Sequence, residues 1–113
     1  MDYAVVWSGD ALDDIDALAK YIARDSLHYA QQVVAEIMAV GDTLAEQPTR
    51  GRIVSELNEP SIRERFIYSY RLIYEIHDAE QEVRMLAVLH GKRLLSSVDR
   101  FQEQPNYSDS SLD

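Results

Sequence analysis

The 113-residue chain contains no cysteine and only two lysines. Without cysteine, neither a disulfide scaffold nor a zinc site with thiolate ligands can form. No apolar run approaches the roughly 20 residues that a membrane helix needs. The first residues, Met-Asp-Tyr-Ala, lack the basic region and the apolar stretch of a secretory signal. These absences predict a cytoplasmic protein with no membrane association.

Common catalytic and ligand-binding motifs are also absent. His28, His77 and His90 lack the spacing of a metal site such as HExxH, and the chain has no glycine-rich phosphate loop. Neither Ser8 nor Ser69 lies in a nucleophile-elbow sequence. We therefore expect neither a metal nor an organic cofactor.

The charge is strongly acidic and unevenly distributed. Twenty Asp and Glu residues against eleven Lys and Arg residues give a net charge of −9. Residues 1–47 hold nine acids and two bases, whereas residues 48–101 hold eight acids and nine bases. Because nucleic-acid binding draws on Lys and Arg that neutralise phosphates, direct binding to nucleic acid is disfavoured. The basic second half is the better candidate for a working surface.

Hydrophobic periodicity predicts two helices and several strands. Ser8 and Ser26 are suited to cap the two helices, and Pro48 disfavours helix in the residue before it. The predicted elements are a strand at 3–7, helices at about 9–24 and from 26 to near 47, strands at 62–67, 70–77 and 83–90, and a short helix at 94–101. We expect one α+β domain over residues 1–101, an antiparallel helix hairpin packed on one face of an antiparallel sheet. The polar residues 102–113 are expected to form a disordered tail.

Alternation in the last two strands indicates which side chains share a face. Tyr70, Leu72 and Tyr74 alternate with Arg71 and Ile73 along the first of them. Simple alternation through the last strand then predicts that Arg71 and His90, with Arg63 or Arg65 beside them, lie on the face away from the helices. An arginine in mid-strand is also typical of a surface residue that pairs with a glutamate.

Three of these residue types could support RNA cleavage. Glu56 would serve as base, Arg71 as phosphate clamp and His90 as acid. The alternative is structural: Glu56 ends a loop, Arg71 pairs locally, and His90 helps to form the turn at Gly91.

A series of short stretches, in a fixed order, resembles the ParE/RelE toxin superfamily of bacterial type II toxin–antitoxin modules, whose members are often labelled plasmid stabilisation proteins. The matching stretches are Trp7 with ALDDI at 11–15, YIARDS at 21–26, LAEQP at 44–48 with GR at 51–52, VSEL at 54–57, IRE at 62–64, YRLIY at 70–74 and VLHGKR at 88–93. Together they span about residues 3–95. The resemblance is closest to the ParE branch, and it implies two helices against an antiparallel sheet.

The resemblance to the ParE branch implies inhibition of DNA gyrase without a hydrolytic active site, and neutralisation by a cognate antitoxin in a toxin–antitoxin oligomer. The antitoxin would contact the apolar surface near the helix hairpin and the sheet edge. The RelE branch instead cleaves messenger RNA on the ribosome, and Glu56, Arg71 and His90 match residue types that some of its members use. The acidic charge favours a protein target over RNA. The residues expected to bind that target are Arg63, Arg65, Arg71, His90, Lys92 and Arg93.

Overall fold

Residues 2–101 are the part of the chain that the computed structural model describes. The strands are β1 (Ala4–Trp7), β2 (Arg52–Ile53), β3 (Ile62–Ile67), β4 (Tyr70–His77) and β5 (Glu82–His90). The helices are α1 (Gly9–Ala23) and α2 (Leu27–Thr43), and short 3₁₀ turns occupy Pro48–Arg50, Leu95–Ser97 and Asp99–Phe101. No helix within residues 2–101 is long and apolar enough to span a membrane.

Both helices begin where the sequence predicts. The Ser8 hydroxyl accepts a hydrogen bond from the Ala11 amide at 3.0 Å, and the Ser26 hydroxyl caps α2 in the same way at 3.1 Å. The predicted end of α2 near residue 47 is wrong, since the helix ends at Thr43. The Ala45 carbonyl instead accepts a hydrogen bond from the Tyr3 amide at 2.8 Å. This bond ties the segment after α2 to the segment before β1.

The five strands form one sheet in the order β1-β5-β4-β3-β2. The predicted antiparallel meander of β3, β4 and β5 is confirmed, and so is the α+β class. The sheet as a whole is mixed, because β1 runs parallel to β5 with Val5 opposite Val83. No turn joins these two strands, so nothing in the local sequence forces them to be antiparallel. The two-residue strand β2 was not predicted.

A bulge in β5 decides which side chains share a face. Ile73 pairs with Ala87, but the next residue of β4 pairs with Met85, so Leu86 is the extra residue. Beyond the bulge the alternation is inverted. His90 pairs with Tyr70 and lies on the helix side, whereas Arg71 pairs with Leu89 on the opposite side. The prediction that Arg71 and His90 share a face is therefore wrong.

Apolar side chains pack on both faces of the sheet. One core lies between the helices and the sheet and includes Ile37, Leu72 and Met85. A second, smaller core on the other face contains Ile73, Ala87, Leu89, Val54, Leu95 and Val98. The predicted helix at 94–101 is wrong, because that segment forms two 3₁₀ turns around Leu95 and Val98 as they enter this second core. The predicted tail at 102–113 lies outside the described residues.

Candidate functional site

The Arg71 side chain is the centre of a cluster of charges, which we call the Arg71 network: Arg52, Glu56, Glu64 and Arg71. The Arg71 Nε donates to Glu64 Oε1 at 2.7 Å, while its Nη1 and Nη2 donate to the two Glu56 carboxylate oxygens at 3.0 Å each. Arg52 Nε donates to the other Glu64 oxygen at 2.9 Å. The guanidinium is thus held by two carboxylates, one of them in bidentate geometry.

Burial makes this network structural. Arg71 is 4% exposed and Glu64 is 3% exposed, whereas the Glu56 side chain is 37% exposed. Arg71 lies on the same face of the sheet as Leu89, so its charge sits beside the second core. Two charges removed from water in this way are tolerated only because they pair with each other. Of the two interpretations of Arg71, local pairing is the one that the structure favours.

The network also sets the protonation of Glu56. The hydrogen bond from Arg71 lowers the pKa of the Glu56 carboxyl below its ordinary value, outweighing a smaller opposite effect of burial. Burial lowers the pKa of Arg71, but the hydrogen bonds to Glu56 and Glu64 outweigh that effect and the pKa is raised. A general base works best when its pKa lies near the working pH, whereas the pKa of Glu56 is shifted downwards, away from neutral pH.

His90 lies apart from Glu56 and Arg71, on the helix side of the sheet. Its ring packs edge-on against Tyr70 with the centroids 5.8 Å apart, and its Nδ1 accepts a hydrogen bond from the Lys92 amide at 3.2 Å. The structure therefore brings Glu56 and Arg71 together and leaves His90 on the other face. Within residues 2–101, no group of three or more His, Asp or Glu side chains is arranged to hold a metal ion.

The other predicted target-binding residues differ in their surroundings. Arg63 donates to the carbonyls of Pro60, Thr49 and Gly51 at 3.2, 3.3 and 3.1 Å, so it holds the connector before β3.

Arg65 is half-buried opposite Leu72. Lys92 and Arg93 are exposed after the end of β5, where the Arg93 Nε lies 3.5 Å from the Ser97 hydroxyl. His90, Lys92 and Arg93 are the predicted residues that remain available to a partner.

An exposed cluster of aromatic side chains surrounds these residues. We call it the aromatic end: Tyr21, Tyr29, Tyr68, Tyr70 and His90. Tyr29 packs edge-on against Tyr68 with the centroids 6.2 Å apart. Tyr21, Tyr70 and His90 line one groove. Burial raises the pKa of Tyr70, and the neighbouring Tyr29 and Tyr21 raise it further. The sequence analysis did not identify this cluster, because its members come from four separate segments of the chain.

Two open grooves border the aromatic end and the helix hairpin. The first, about 410 Å³, lies between α1 and the end of β5 and is lined by Leu18, Tyr21, Tyr70, His90 and Arg93 among others. The second, about 430 Å³, runs between α1 and α2 and is lined almost entirely by apolar atoms. The second groove matches the apolar hairpin surface that the sequence analysis assigned to an antitoxin.

Comparison with known proteins identifies the family. The family described as the ParE toxin of the type II toxin–antitoxin system parDE matches residues 5–95. The chain therefore belongs to the ParE toxin family. Toxin RelE2 of Caulobacter vibrioides is 32% identical over 91 residues, which cover 80% of this chain and 97% of that protein.

Solved structures share the fold. The chromosomal ParDE system of P. aeruginosa matches with a TM-score of 0.64 at 16% identity, covering 78% of this chain and 95% of that one. The RelBE2 toxin–antitoxin complex of Mycobacterium tuberculosis matches with a TM-score of 0.59 at 24% identity, covering 80% and 99%. A mutant of E. coli toxin RelE in the free state matches with a TM-score of 0.63 at 18% identity, covering 90% and 100%. Similarity at these levels of identity shows that the fold is shared and does not identify the target.

Proposed function

We propose that this toxin acts by binding a protein, with DNA gyrase as the target, and that a cognate antitoxin neutralises it. The observation that carries the proposal is the Arg71 network. In this network Glu56 and Arg71, which an RNA-cleaving site would need, are bound to each other. Other cations, such as Lys92 and Arg93, remain exposed. Membership of the ParE family supports gyrase as the target.

The geometry disfavours hydrolysis at three points. A phosphate would have to displace Glu56 or Glu64 from a guanidinium that is 4% exposed. Glu56 has a lowered pKa, which makes it a weak base. His90 lies across the sheet from Arg71 and cannot protonate a leaving group there. The net charge of −9 also opposes a long contact with RNA.

A ribosome-dependent mRNA endoribonuclease is the alternative function. The 32% identity to a protein named Toxin RelE2 and the direct contact between Glu56 and Arg71 support this alternative. Glu56→Gln separates the two functions, because it removes the base and keeps the size of the side chain. Under the binding proposal, this variant remains a full toxin.

The groove between α1 and α2 suits an amphipathic segment of the antitoxin. Its lining includes Ala23, Leu27, Val34 and Ala35, and such grooves commonly receive the apolar face of a helix. Structural neighbours that were solved as toxin–antitoxin complexes support an antitoxin as the partner. Ala35→Glu should weaken antitoxin binding at least about tenfold, because it buries a charge in the interface. Ala39→Glu, on the same helix and outside the groove, is the matched control.

Two assays with the purified full-length chain test the target. We expect inhibition of supercoiling by DNA gyrase, and intact message in a translation extract at the same dose. The gyrase target is wrong if supercoiling continues at doses that stop growth. Cleaved message that becomes intact with Glu56→Gln would establish the nuclease instead.

A further inference from the structure

Three of the nine large apolar side chains that are exposed in residues 2–101 belong to the aromatic end. Tyr21 is 68% exposed, Tyr68 is 58% exposed and Tyr29 is 44% exposed. Tyrosines with one apolar face and one polar tip are enriched where proteins bind one another. Such a concentration of exposed aromatic surface at one end marks an interaction site.

Cations at the same end lack acidic partners. Arg24 lies over the Tyr21 ring at 5.6 Å from its centroid, and Lys92 and Arg93 follow His90 after Gly91. Within residues 2–101, no carboxylate lies within 4.0 Å of any of these three cations. At least one does so for each of Lys20, Arg52, Arg71, Arg84 and Arg100. Asp25 adjoins Arg24 in the sequence, and Asp14 lines the groove beside Arg93 but is paired with Arg100. The three cations are therefore available to an acidic partner on a chain of net charge −9.

The backbone at Tyr68 gives an independent indication. Ile67 pairs with Tyr70, so residues 68 and 69 form a two-residue hairpin turn, and Tyr68 has a φ of +54°. Glycine or asparagine normally occupies such a position, because a larger side chain is strained there. Burial does not explain the tyrosine, since more than half of it is exposed. Strain that is retained at an exposed residue is typical of a functional site.

We propose that the aromatic end is the surface that contacts the cellular target, and that the target presents an acidic protein surface with an apolar side chain that enters the groove between α1 and β5. This proposal rests on the proposed function in one respect, namely that the toxin works by binding a protein. It extends that function by naming the surface and the charge of the partner.

The chemistry of the site favours a protein over a nucleic acid or a second copy of the chain. The tyrosines pack edge-on in pairs and do not form a row of parallel rings of the kind on which successive bases stack. A nucleic acid would also bring a continuous line of phosphates against a chain of net charge −9. A second copy would bring the unpaired cations of two identical surfaces together, at a cost in like-charge repulsion.

Tyr68→Asn is the central test, because it removes the aromatic ring and suits the positive φ. The thermal midpoint should stay the same or rise, while binding to DNA gyrase, measured by surface plasmon resonance, should weaken at least about tenfold. Gln81→Asn is the matched control. It makes the same backbone change at φ +55° in the β4–β5 turn, and it should leave binding unchanged.

The charge of the partner is tested by Lys92→Glu, with Arg50→Glu as the control at an exposed site near β2. Lys92→Glu should slow association and reduce its dependence on salt, whereas the control should do neither. Equal effects of the two variants would overturn the acidic-partner assignment.

The same four variants in a growth assay separate this proposal from the gyrase assignment. If wild-type protein does not bind gyrase, loss of growth arrest in Tyr68→Asn and Lys92→Glu alone still supports the aromatic end. Full arrest by Tyr68→Asn overturns the proposal, even where supercoiling is inhibited. The proposal is also overturned if Tyr68→Asn loses binding to the antitoxin, loses the ability to form a dimer, or loses binding to a labelled single-stranded RNA.

Discussion

The Arg71 network and the aromatic end begin at adjacent residues of β4 and differ in almost every physical property. Tyr70 points to the helix side, and Arg71 points to the other side. In the network, the central arginine is buried and held by two carboxylates. At the aromatic end, rings are exposed and three cations have no carboxylate partner within residues 2–101. Residue type alone would assign catalysis to the first and packing to the second, whereas burial and pairing make the first structural and leave the second exposed.

The largest expected effect is that of Arg71→Ala. Removal of Arg71 leaves the buried Glu64 with the mostly exposed Arg52 as its remaining cation within residues 2–101, which should lower the free energy of unfolding by about 3–5 kcal/mol. Urea denaturation measures this loss. Arg65→Ala, at a half-buried arginine on the neighbouring strand, should cost less than about 1 kcal/mol. An Arg71→Ala protein as stable as the wild type would show that the network does not hold the fold.

Gly51→Ala should have the next largest effect, because a Cβ at this position would lie 2.6 Å from both the Glu64 carbonyl oxygen and the Tyr74 hydroxyl. That hydroxyl is fixed in turn, since it donates to the Pro48 carbonyl at 2.6 Å and accepts from the Gly51 amide at 2.9 Å. We expect a loss of about 1–3 kcal/mol in thermal denaturation. Gly9→Ala, with nothing within 4 Å of the added Cβ, should be neutral or stabilising.

The bulge that separates the two regions is held by Asp14. Its Oδ2 accepts from the Val88 amide at 2.9 Å and from Arg100 Nη1 at 2.8 Å. Asp14→Ala should therefore cost about 1–2 kcal/mol and disturb the β5 bulge that places His90 and Arg71 on opposite faces of the sheet. Amide hydrogen exchange at Val88 measures the local effect, and Asp13→Ala, on the exposed side of α1, is the control. Unchanged protection at Val88 would contradict this role.

Glu56→Gln should have the smallest effect on stability. The lowered pKa means that the native state binds fewer protons at this site than the unfolded chain does. The contribution of Glu56 is thus present above its ordinary pKa of 4.5 and lost as the pH falls through the lower native value. In acid denaturation, Glu56→Gln should lose stability less steeply below pH 4.5 than the wild type. Glu59→Gln, at an exposed glutamate of the same loop, should follow the wild-type curve.

Local patterns predicted the helices and the meander well. Ser8 and Ser26 are caps whose effect depends only on the next three residues, so sequence alone locates them. Apolar periodicity placed α1 within a residue of its observed bounds.

The candidate site depended on information that no local pattern carries. Ala87, Val88 and Leu89 are all apolar, so alternation cannot reveal a bulge at Leu86, and one extra residue reversed the face of His90. The partners of Arg71 lie seven and fifteen residues earlier in the chain, which hid the network. The aromatic end becomes visible only when four segments fold together.

Growth arrest by Glu56→Gln and Tyr68→Asn, expressed side by side at equal levels, tests the central claim most directly. Both substitutions leave the buried part of the Arg71 network in place, so both proteins should fold. The account predicts that Glu56→Gln arrests growth like the wild type and that Tyr68→Asn does not. A harmless Glu56→Gln beside a fully toxic Tyr68→Asn would contradict it.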